Sequence, residues 1–169
     1  MNNYEKILSG GDLRSIGKSN SMVLKIHTEK DFDELFQCLY HPDRLVVMRA
    51  ADIIEKLTLN KPHFLKKHKA AILQLCQEAK NKELLWHLAL LIPRLHPDKE
   101  DFSIAWNILA RWANDKTQSR IVRVNSIQGL FEMQKQEEVS EKKLYSILSD
   151  IEKENIPSIN ARIRKLKMN

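Results

Sequence analysis

Five apolar residues, Val46, Ala50, Ala51, Ile54 and Leu57, return at an interval of 38 residues as Leu84, Leu88, Ala89, Ile92 and Leu95. They return once more as Val122, Ser126, Ile127, Leu130 and Met133, and Ser126 is the one polar member of the three sets. At about 100° per residue, each set gathers on one face of a helix. A single helix or helix pair cannot bury such a face alone, so a face repeated at a fixed interval implies stacked repeats. A fourth copy comes one residue early, as Ile159, Ile163 and Leu166.

Each of these inner helices follows a second amphipathic segment. The four are Phe32 to Leu39, Leu65 to Cys76, Phe102 to Trp112 and Leu144 to Ile151. The periodicity predicts helices near 31–40, 43–58, 63–79, 82–95, 99–114, 118–134, 140–153 and 157–167. His41-Pro42-Asp43 and His96-Pro97-Asp98 each end one helix at a proline and offer an aspartate to cap the next. Pro93 falls inside a helix and should remove one backbone hydrogen bond and bend the last turn. Of the four glycines, Gly10, Gly11 and Gly17 precede residue 18, so the rest of the chain is poor in turn formers. The expected fold is all-α: a right-handed α-α superhelix of about four helix pairs over residues 23–169, with an N-terminal capping arm over 1–22.

A helix pair of this length and pattern resembles the HEAT and armadillo repeat class. More narrowly, the chain is similar to small bacterial HEAT-repeat proteins of unassigned function. The resemblance runs through Leu8 to Asn20, Val47-Met48-Arg49-Ala50-Ala51-Asp52, Trp86-His87-Leu88-Ala89, Pro93-Arg94-Leu95 and Ala161 to Leu166. It implies a fold and no activity.

No nucleotide-binding glycine pattern and no zinc-protease signature occurs. His63 and His68 stand five apart, which does not put two metal ligands on one helix face. No catalytic residue, metal site or cofactor is therefore expected. Cys38 and Cys76 occupy equivalent places one period apart. Adjacent helix axes lie about 8–10 Å apart, beyond the span of about 7 Å that a disulfide bridges between Cα atoms. Two buried, reduced thiols are expected. With no apolar run of membrane-spanning length and no signal-like N-terminus, the chain reads as cytoplasmic, with no membrane partner.

The net charge of +6 is concentrated in residues 61–97, where Lys61, Lys66, Lys67, Lys69, Lys80, Lys82 and Arg94 stand. Such an excess suits nucleic acid or acidic partners, and equally suits the solvated side of a solenoid. Ser9 to Asn20 reads as a cap on the first helix pair; an anion-holding loop and a disordered stretch are the alternatives.

The inner helices present a second face opposite the core. It carries Met48, Asp52 and Lys56, then Trp86, Leu90 and Arg94, then Val124, Gln128 and Glu132. Arg49, His87 and Asn125 recur at its rim. An apolar strip beside a hydrogen-bonding ladder suits a peptide or helix laid along a groove. The expected partner-binding set is Met48, Arg49, Trp86, His87, Leu90, Arg94, Val124 and Asn125; internal packing of the same residues is the competing expectation. The leading function is a protein-interaction scaffold without catalysis. The alternative is a nucleic-acid binder related in construction to HEAT-like alkylation-repair glycosylases. Asp52 and Glu132 interrupt the positive stripe such a protein needs, and Asp52 is the one acid placed to assist base excision.

Overall fold

A computed structural model of the chain describes residues 3–10, 21–136 and 141–168. These residues are helical with short connections, and no strand occurs among them. The chain divides into two compact units, 1–68 and 69–169.

In the first unit α1 spans Asn3–Leu8, α2 Glu29–Gln37 and α3 Arg44–Asn60. A 3-10 turn, Cys38–Tyr40, ends α2, and another, Pro62–His68, follows α3. Thr28 opens α2 through a reciprocal cap: its hydroxyl accepts from the Asp31 amide while the Asp31 carboxylate accepts from the Thr28 amide. Asp43 caps α3 by accepting from the Leu45 amide, as the His-Pro-Asp sequence predicts. The core is Phe32, Leu35 and Phe36 of α2 against Val46, Ala50, Ile53 and Ile54 of α3, all fully buried or nearly so. Tyr4 and Leu8 bury α1 against the same pair. Met22 and Ile26 are buried just ahead of α2. The remainder of the expected arm, residues 11–20, lies outside the described residues.

In the second unit α4 spans Lys69–Glu78, α5 Lys82–Leu91, α6 Lys99–Asn114, α7 Arg120–Gln134, α8 Glu141–Glu152 and α9 Pro157–Lys167. Asp98 caps α6 and Ser119 caps α7. Pro93 has the predicted local effect: α5 ends at Leu91 and the chain tightens into a 3-10 turn over Ile92–Leu95. His96 then takes a left-handed conformation, φ 43°, to turn the chain toward α6.

Helix α7 lies at the centre of this unit, packed on α5, α6, α8 and α9, while α6 packs on α4 and α8. The repeated positions behave alike. Leu84, Leu88, Ala89 and Ile92 of the second set are buried, as are Val122, Ile127, Leu130 and Met133 of the third. Ser126, the polar exception, is buried as well, and its hydroxyl donates to the Val122 carbonyl one turn back. Gly129 explains how closely α5 and α7 approach. A Cβ there would lie 2.9 Å from the Ala89 carbonyl oxygen and 2.9 Å from a Leu109 methyl. Hydrogen at that position lets one helix backbone rest on the other.

Candidate partner-binding surface

Helix α5 carries Trp86 and Leu90 one turn apart, with Arg94 a further turn on in the 3-10 segment. All three are half-buried, whereas their neighbours Leu85, Leu88 and Ala89 are buried. Val124, Asn125, Gln128 and Glu132 of α7 are half-buried in the same way. In the second unit, then, both inner helices keep a partly solvated strip opposite a dry core, and Trp86, Leu90 and Val124 supply its apolar members.

The polar residues of that strip hold the helices to one another. The Asn125 side-chain amide donates to the Trp86 carbonyl at 3.2 Å, joining α7 to α5. Arg162 of α9 donates to the Gln128 side-chain oxygen at 2.9 Å, and Gln128 in turn donates to Glu132 at 2.7 Å. Gln136 donates to the Pro93 carbonyl at 2.8 Å, joining the end of α7 to the 3-10 segment after α5.

The expected ladder therefore needs correction at two residues. His87 is buried at 5% exposure, its ring 5.5 Å from that of Trp86. Arg49, in the first unit, is 4% exposed, and its guanidinium donates to the Leu8 and Gly10 carbonyls, each at 2.6 Å. Those carbonyls belong to the last residue of α1 and to the second residue beyond it, so Arg49 fastens the end of α1 to α3 rather than facing solvent. Arg49 and His87 lie nearer the core than a rim position, because packing on two sides buries more than one stripe of each of these helices. Met48 is half-buried on α3.

Two lysines of the basic stretch are neutralised within their own units. Lys67 pairs with Asp33 and Glu29. Lys69 pairs with Asp98 and Asp101. Burial opposes ionisation of Asp33, but its bonds to Lys67 and His68 outweigh that and hold its carboxyl below the usual range. Asp52, the one acid with a conceivable catalytic part, is paired with Lys56 at 2.7 Å on the same helix.

Burial pushes the Cys76 thiol far above its ordinary range, and both cysteines are free and buried. Among the described residues no group of three His, Cys, Asp or Glu side chains could hold a metal ion. No described helix is long and apolar enough to cross a membrane.

No family model, curated protein or solved structure matches this chain. Its own geometry carries the functional argument.

The residue that sequence reasoning missed most plainly is Arg123. It is 2% exposed, donates from Nε to the Ala113 carbonyl at 2.8 Å, and grips both oxygens of Glu154 at 2.8 and 2.9 Å. One side chain thus ties together the end of α6, the start of α7 and the turn before α9. The available signal was its place one residue after Val122, inside the apolar set.

Proposed function

We propose that the chain is an interaction scaffold of the HEAT-repeat class, with its helix pairs stacked as a right-handed α-α superhelix. In this reading it belongs with the small bacterial HEAT-repeat proteins it resembles and works in the cytoplasm without catalysis of its own. Burial of equivalent residues in three successive inner helices supports the repeat assignment, as does the stacking of α5, α7 and α9 beside α4, α6 and α8 in the second unit. The buried free cysteines favour a reducing compartment.

The partner is a peptide segment or a helix of another protein, seated on the α5–α7 strip. The carrying observation is that Trp86, Leu90 and Val124 keep part of their apolar surface in solvent on helices whose other faces are dry. Rigid helices hold these anchors in place, and tryptophan is the residue most enriched at binding hot spots. His87, buried beside Trp86, supports the surface from behind. Nucleic acid fits less well, because Lys67 and Lys69 spend their charge on internal carboxylates.

The test is affinity capture from cells of the source with the wild-type chain beside Trp86→Ala. Loss of one or more captured proteins, with the melting temperature lowered by only a few degrees, supports the proposal. Identical captured sets from both chains would refute it.

A further inference from the structure

The first unit holds a second surface, independent of Trp86. Where the chain enters α2, Val23, Ile26 and Leu57 wall a cleft of about 200 Å³, with Leu24 at its edge and His27, Lys56 and Lys61 around it. Leu24 is 75% exposed, and Leu59, two residues beyond Leu57 on α3, is 61% exposed. No other described leucine is exposed. Leu24 lies on the cleft with most of its side chain in solvent, whereas Leu59, about 200° round α3 from Leu57, leaves the helix on another side. The volume is below the roughly 300–1,000 Å³ of small-molecule pockets, and suits one apolar side chain of a larger partner.

Charge narrows the partner. The described lining holds two lysines and a histidine and no acidic residue. Asp52 is committed to Lys56, whose charge it offsets, and Asp31 to the His27 and Thr28 amides of the α2 cap. Lys25, next to Leu24, is exposed. Lys61 lies with Nζ 5.7 Å from the Phe64 ring centroid and has no acidic partner among the described residues.

We propose that this cleft docks a short acidic segment of a partner protein, one leucine- or phenylalanine-like side chain entering between Ile26 and Leu57 while flanking carboxylates meet Lys25 and Lys61. Leu24 flanks the anchor, and the lysines favour acidic sequences over basic ones.

Panning a phage-displayed library of random peptides on the full chain tests this. The selected peptides should combine an apolar anchor with Asp or Glu. Their binding should fall about tenfold or more for Leu24→Ser, as expected when a leucine contact buried on binding is removed. Lys25→Glu with Lys61→Glu should abolish the preference for acidic peptides. Leu24 and Lys25 are exposed, so melting curves of the Leu24→Ser and Lys25→Glu variants should overlay the wild type. The Trp86→Ala chain should select the same peptides, which separates this surface from the α5–α7 strip. Cleft-dependent peptides that are basic, or an absence of cleft-dependent peptides, would overturn the proposal. So would cleft-dependent sedimentation with phosphatidylserine vesicles in the absence of peptide selection, which would assign the patch to a membrane surface.

Discussion

Replacing Gly129 with alanine sets two opposed effects of similar size against each other, and the geometry decides between them. In a helix interior alanine is better than glycine by about 0.8–1.0 kcal/mol, so on propensity alone Gly129→Ala stabilises α7. The added Cβ would lie 2.9 Å from the Ala89 carbonyl oxygen, 2.9 Å from a Leu109 methyl and 3.3 Å from the Pro93 ring. The Leu109 methyl can swing aside. The Ala89 oxygen is backbone and moves only if α5 moves, and the Pro93 ring is rigid. Overpacking of this kind costs about 1–3 kcal/mol. The balance is a net loss of about 1 kcal/mol, equivalent to a melting temperature lower by about 2–4 °C in a chain of this size. Gly129→Val, with two further methyl groups at the same contact, should lose more. Urea denaturation followed by circular dichroism measures both. A Gly129→Ala protein more stable than wild type would mean that α5 and α7 are not in backbone contact, and the packing described for the second unit would be wrong.

Arg123→Met strands the Glu154 carboxylate and the Ala113 carbonyl and should cost about 3–5 kcal/mol by denaturant unfolding. Arg123 holds the Glu154 carboxyl below its ordinary range, so the pair's contribution is full above the ordinary carboxyl pKa and fades as pH falls through the lowered value; the Arg123→Met chain should lack that acid-side loss in melting curves against pH. Ile54→Ala and Ile92→Ala should each cost about 2–5 kcal/mol, with the spread set by how far each cavity collapses. Duplex DNA titrated at about 50 mM salt, where phosphate-driven binding is still strong, should give no binding above that of an unrelated basic protein; strong, steeply salt-dependent binding would revive the nucleic-acid alternative.

The helices and their order were legible in the sequence because each element carries its own local instruction. The face from Val46 to Leu57 recurs at Leu84 to Leu95 and at Val122 to Met133, and most of its members are buried in the structure. Asp43 and Asp98 cap the helices they precede, since an N-cap needs only its own side chain and an amide two or three residues on. Pro93 ends α5 for reasons contained within one turn of helix. Periodicity also located the strip of Trp86, Leu90 and Val124, because the side opposite a core face follows from the same wheel.

What the sequence could not decide is how much of each inner helix its neighbours cover and where long side chains end. Arg49 and Asn125 share a wheel position, yet Arg49 reaches carbonyls 39 and 41 residues earlier while Asn125 bonds the neighbouring helix. Arg123 looked like any surface arginine beside Val122, and its partner Glu154 stands 31 residues away. Lys67 and Lys69 counted toward a basic edge until Asp33, Asp98 and Asp101 were brought against them. In each case the deciding partner lies far along the chain. A helix fixes the direction in which a side chain leaves, and only the packing of separate helices fixes what it meets.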